Sequence, residues 1–201
     1  MDLDLIKEQA WQAMGKRHSH PDRELGYAFY HGQRVAKIAL KLRELILPGE
    51  DSQDQVILVG GWLHDVGKGI EPHWEYGALI SREILRDLCS PSELEQITTI
   101  VGAHTLRKKQ PHPHYVKLVQ DADILDHFGS QEIWLNFWHC AYRRENVEHS
   151  LEFYRDYYAA NAQRVRSLLN YQKSVEYFDE KDRFVQDFVE RLRRENAGEL
   201  V

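Results

Sequence analysis

Histidine or aspartate stands at the end of an apolar stripe in five separate stretches of this chain. Counting back by threes and fours along Leu45, Leu42, Ile38 and Val35 arrives at His31, and the same count along Leu88, Ile84, Ile80 and Gly77 arrives at His73. Leu94, Ile97 and Ile100 or Val101 run forward to His104, while Val116 and Val119 run forward to Asp123. The nearly all-apolar stretch from Val56 to Leu63 ends in His64-Asp65. Each of these polar groups is therefore expected to face the interior.

A single buried histidine is ordinarily a core residue with one hydrogen bond. Aspartate is different, because an unpaired carboxylate in an apolar interior costs several kcal/mol. One divalent cation satisfies two carboxylates and several neutral imidazoles together, so a metal ion is expected among the inward groups His31, His64, Asp65, His73, His104 and Asp123. Mixed imidazole and carboxylate donors without thiolate favour Mn or Fe, with Mg, Co, Ni or Zn as lesser expectations.

Were the ligand a phosphate ester, a bound ion would acidify a water and draw charge from its phosphoryl group, so hydrolysis would need no serine or cysteine nucleophile. Asp65 or Asp123, whichever keeps one oxygen off the metal, is the expected general base. Lys68 follows Asp65 across a glycine turn and is placed to meet a phosphate, its bland alternative being a solvated lysine at a helix end. Arg34, one turn from His31, offers a two-pronged phosphate contact or else a salt bridge. Arg107, Lys108 and Lys109 directly follow His104 and form the dense basic loop beside the expected site, where they grip a polyphosphate or remain a solvated charge run.

Helices must carry these groups. The apolar period predicts them at roughly 2–17, 25–47, 53–66, 73–89, 91–105, 113–126, 130–145, 149–170 and 176–196, with no strand pattern. Ser90-Pro91 supplies a capping residue followed by proline at the first helical position, and Ser92 with Glu95 offers an alternative capping box. The segment from Leu106 to Pro113 reads as a loop, and the last two helices read as packing and solubility rather than chemistry. His18, His20, His112, His114, His127, His139 and His149 are expected at the surface or in packing.

At 201 residues the chain has room for one sizeable core, so a single all-α domain over 1–201 is expected. With 42% hydrophobic and 29% charged residues it should fold by itself. A net charge of −6 argues against binding a nucleic-acid polymer and leaves room for a small phosphorylated ligand. Cys89 and Cys140 have no C-x-x-C spacing, which fits a reducing compartment, and the acidic start Met1-Asp-Leu-Asp-Leu and the lack of a spanning apolar run fit a cytoplasmic protein without a membrane partner. The aromatic C-terminal helices are candidates for self-association into a homo-oligomer.

The order His31, then His64-Asp65, then Asp123 resembles the H…HD…D signature of the HD superfamily of metal-dependent phosphohydrolases. YHGQRVAKIALKL, GGWLHDVGKG and LVQDADILDHFG are similar to that family's segments and cover about residues 25–130, leaving about 131–196 as a helical extension. The resemblance implies an HD-type bundle with His31, His64, Asp65 and Asp123 as its metal ligands, acting on a small phosphorylated substrate, a nucleotide being favoured. HWEYGA at His73 and GAHT at His104 resemble the further histidines that some HD enzymes use for a second metal or for phosphate. DADILD is similar to a bacterial branch that includes nucleoside triphosphate pyrophosphatases, but Ser130-Gln-Glu-Ile-Trp stands where that branch has small residues. Two other classes fit the scaffold: a di-iron oxygenase, which resembles HD proteins carrying the same six candidate ligands, and a non-catalytic metal-binding module.

Overall fold

Small residues set the closest approach in the bundle. A Cβ on Gly32 would lie 2.5 Å from the Trp62 carbonyl oxygen, and one on Gly61 would lie 2.7 Å from the Ala36 Cα. The two backbones carrying these glycines therefore touch, as only glycine permits. They belong to α2 (Tyr27–Ile46) and α3 (Asp54–Leu63), which with α5 (Pro91–Ala103) and α6 (His114–Asp126) form the centre of the computed structural model, which describes residues 1–201.

Around this centre, α1 (Leu3–Met14) packs on α2 and α3, and α4 (His73–Leu85) packs on α5. The chain continues through α7 (Ser130–Arg143), α8 (Val147–Phe153), α9 (Ala159–Arg166) and α10 (Gln172–Asn196), the last lying against α6, α7 and α2. Between α8 and α9 a π-helical turn, Tyr154–Tyr158, keeps the rod continuous. The fold is all-helical, and none of its helices is long and apolar enough to cross a membrane.

Local chemistry explains the boundaries. Asp2 caps α1 by accepting from the Leu5 amide at 3.1 Å. Ser90 and Glu93 make a reciprocal capping box with Pro91 inside it, so the Ser92 and Glu95 alternative is not used. α3 stops at Leu63, which leaves His64-Asp65 in the turn beyond it, and His104 likewise lies just past α5. Ligand side chains at helix ends can converge without a helix running through the site.

Two apolar stripes lie rotated from their expected positions. On α2 the core face is Val35, Ala36, Ala39 and Leu42, while Leu45 is 53% exposed. On α4 His73, Gly77, Ser81 and Leu85 are buried, while Ile80 and Ile84, with Leu88 just past the helix, pack half-buried against the core. Small side chains win these positions because they let neighbouring helices approach, which hydrophobicity alone does not register. His31 and His73 remain inward in both cases.

The extension is tied to the core through Asp121, a buried carboxylate that accepts from the Asn170 amide at 2.8 Å and the Tyr171 amide at 3.1 Å. Cys89 and Cys140 are free thiols.

Replacing Gly61 by alanine should push α2 off α3 and cost about 1–3 kcal/mol through overpacking. Thermal melting would show this as a lowered Tm, and metal titration should show weakened binding, since the same contact holds His31 against His64. An unchanged Tm and affinity would disprove the close-approach argument.

Candidate metal centre and its cavity

Each imidazole of the site is oriented by the hydrogen bond its other nitrogen makes. His64 Nδ1 donates to the Gly61 carbonyl at 2.8 Å, His104 Nδ1 to the Val101 carbonyl at 2.7 Å, and His31 Nδ1 to Asp126 Oδ2 at 2.7 Å. Nε2 of each ring is thereby left with its lone pair facing the interior. His31 Nε2 and His64 Nε2 lie 3.2 Å apart, and Asp123 Oδ1 is 3.1 Å from the first and 3.7 Å from the second.

Acceptors facing acceptors at these distances repel unless a cation sits among them. The donor set thus fits a divalent metal. A second observation agrees: His73 Nε2 is buried with no hydrogen-bond partner and lies 3.7 Å from Asp65 Oδ1. His104 Nε2 is 3.5 Å from the same oxygen. Asp65 therefore belongs to two groups whose ligand atoms lie within 4.8 Å of one another, one with His31 and His64, the other with His73 and His104.

The charges are held in place by their neighbours. Burial pushes the Asp65 carboxyl up, but His64, His104 and Lys68 outweigh it and hold it well below the usual carboxylate range. Asp123 is likewise depressed, burial being overcome by Arg107 and the imidazoles of His127, His31 and His64. Burial opposes a charge on His64, yet Asp65 and Asp123 together raise its pKa, while burial dominates at His104 and lowers it.

His31, His64, Asp65, Asp123, His73 and His104, all expected from the sequence, converge here. Lys68 Nζ lies 3.5 Å from Asp65 Oδ1, and the Arg107 guanidinium binds Asp123 Oδ2. Arg34 is not at the cavity; its guanidinium donates to Asp126 at 2.8 and 2.9 Å, so it braces the carboxylate that holds His31. Lys108 and Lys109 are exposed and line no part of the cavity, because the loop turns outward at Lys108, where φ is 58°.

Two groups escaped the sequence reading. Asp126 and His127 follow Asp123 by three and four residues, on the same side of α6. Asp126 is buried, and its carboxyl is held below the usual range despite burial by His31 and Arg34. His127 donates from Nδ1 to the Asp123 carbonyl at 2.9 Å and accepts from the Tyr27 hydroxyl at 3.1 Å, positioning Asp123 rather than filling a surface. Spacing from a known inward aspartate was the available signal.

The centre opens into a cavity of about 760 Å³, lined by Asp65, Lys68, His73, His104, Arg107 and Asp123 and also by residues of α7, α8 and α9. Phe153, Asn161, Arg164 and Leu168 are among them, so the penultimate helical rod contributes to the site and not to packing alone.

A helical bundle closing a histidine and aspartate cage beside two cationic side chains has the make-up of a metal-dependent hydrolase. The HD domain model matches residues 28–127, and the chain belongs to the HD superfamily of metal-dependent phosphohydrolases. It is similar in fold to Bacillus subtilis YpgQ solved in complex with ADP, with 16% identity, a TM-score of 0.66 and 96% of each chain covered. A Bacillus thuringiensis HD-superfamily hydrolase is 21% identical with a TM-score of 0.62, covering 96% of this chain and 100% of that one. An HD superfamily hydrolase from an uncultured Thermotogales bacterium is 20% identical with a TM-score of 0.65, covering 96% of this chain and 92% of that one. No curated protein matches the chain.

Replacing Asp126 by asparagine should weaken metal affinity about 10- to 100-fold, because a neutral amide replaces the carboxylate that raises the basicity of His31 and fixes it through Arg34. Competition with a chelating dye would measure it, and an unchanged affinity would refute the bracing role. The depressed carboxyls also set a pH dependence. Their folded pKa values lie below the unfolded value of about 3.9, so their contribution to stability is full above roughly pH 4 and is lost as pH falls through the folded values. Melting in chelator from pH 6 to pH 3 should show Tm falling toward the acid end, with a smaller fall in D126N.

Proposed function

We propose that this chain hydrolyses a small phosphorylated substrate, a nucleotide being the class that suits its site. One observation carries the reading: the metal-ligand cage, Lys68 and Arg107 share one cavity whose volume of about 760 Å³ far exceeds a phosphate group. The complex of the structurally similar YpgQ with ADP supports the choice of nucleotide.

His31, His64, Asp65 and Asp123 would hold one ion, and Asp65, His73 and His104 would hold a second. Mn or Fe is favoured for both, in keeping with imidazole and carboxylate donors. Bound there, the metal supplies an acidified water and a positive charge against the phosphoryl oxygens.

The remaining steps belong to the chain. Lys68 and Arg107 meet the phosphate oxygens from the cavity wall. Arg107, on reaching the phosphate, releases Asp123 Oδ2. That oxygen takes a proton from the attacking water, whereas the Asp65 oxygens are directed at the two histidine groups. Exposed Trp134, Tyr157 and Phe184 support self-association of the chain.

Purified protein loaded with Mn, Fe or Co should release phosphate or pyrophosphate from at least one member of a nucleotide panel. D123N should lower kcat by at least about 100-fold, the scale of general-base catalysis, while keeping the fold. No release with any of these ions, or oxygen uptake by the iron form in its place, would remove the proposal.

A further inference from the structure

We propose that Glu132 and Asn136 form a base-reading edge on the α7 wall of the cavity and select the nucleobase of the substrate. This rests on the phosphohydrolase reading above. Neither residue belongs to the metal centre, and both line the cavity that the centre opens into.

The two side chains are one turn apart on α7, so they lie side by side on one face. Glu132 Oε2 accepts from the Tyr154 hydroxyl at 2.7 Å, and Oε1 has no hydrogen-bond partner. No cation pairs with this carboxyl, and burial pushes its pKa up to about 7. Asn136 is oriented too: its Oδ1 accepts from the Ser150 hydroxyl, which leaves the amide Nδ2 free to donate. An acceptor and a donor thus stand together in one wall.

The surrounding chain is built to hold that pair. The π-helical turn buries Tyr154 and Tyr158, the first bound to Glu132 and the second, at 2.8 Å, to Asp182 of α10. Such turns occur frequently at functional sites, since they re-aim side chains at a cost in helix regularity. Phe153 and Leu168 line the cavity as well and give apolar surface for a flat ring. A nucleobase presents the matching pattern of an N–H beside a ring nitrogen or carbonyl.

Calorimetric binding to the full-length, Mn-loaded protein tests the proposal, with ADP, GDP, CDP, UDP, inorganic pyrophosphate and ribose 5-phosphate as probes. Wild type should bind at least one nucleoside diphosphate more tightly than pyrophosphate. E132Q and N136A should each weaken that nucleotide about 10- to 100-fold, leaving pyrophosphate and ribose 5-phosphate within about twofold. E132Q is nearly isosteric and can still accept from Tyr154, so it decides the matter even if N136A fails to fold. An equal loss for pyrophosphate would make Glu132 structural; a loss for ribose 5-phosphate would move the contact to the sugar; no preference for any nucleoside diphosphate would remove the edge altogether. Phosphate release, measured in parallel, reports on the hydrolase reading independently: Glu132-dependent base selection without turnover would leave the edge standing and overturn that reading.

Discussion

Two imidazole nitrogens held 3.2 Å apart with their lone pairs turned toward each other are the constraint from which the rest of this structure follows. Such a pair, with a carboxylate oxygen beside it, is unfavourable in a dry interior unless a cation is shared among the three. The cost of keeping it is distributed over the bundle. Gly32 and Gly61 let α2 and α3 touch, Gly61 also accepts the His64 Nδ1 proton, and α6 brings Asp123 and Asp126 to the opposite side.

The carboxylates illustrate how burial of charge is made tolerable. Asp126 meets the His31 Nδ1 proton and Arg34, Asp123 meets the His127 Nδ1 proton and Arg107, and Asp65 meets Lys68. Each has opposing charge or a donor within reach, so each stays ionised despite burial. Arg34 and Arg107 then have different parts. Arg34 closes the back of the site on Asp126, while Arg107 binds Asp123 from the cavity wall.

A division of labour between the two parts of the chain follows. The HD core, matched over residues 28–127, supplies the whole ligand cage. The extension supplies the cavity's remaining wall, and Asp121 couples the two by holding the turn before α10. A ligand cage in the core and a cavity wall in the extension can vary separately, which is a general way for one fold to serve many substrates.

The sequence by itself determined that the protein is helical, which faces turn inward and that histidine and aspartate lie on them. These are local properties, because a 3.6-residue period and a cap such as Ser90 with Glu93 are written within a few residues of each other. Family words around His31, His64-Asp65 and Asp123 added the class of chemistry. Only the tertiary structure decided that Arg34 serves Asp126, that Lys108 and Lys109 are bystanders, that His127 supports Asp123, and that Glu132 reaches the cavity. The reason is distance along the chain: His31 and Asp126 are 95 residues apart, and no periodicity within either helix records which partner across the bundle its neighbour will meet.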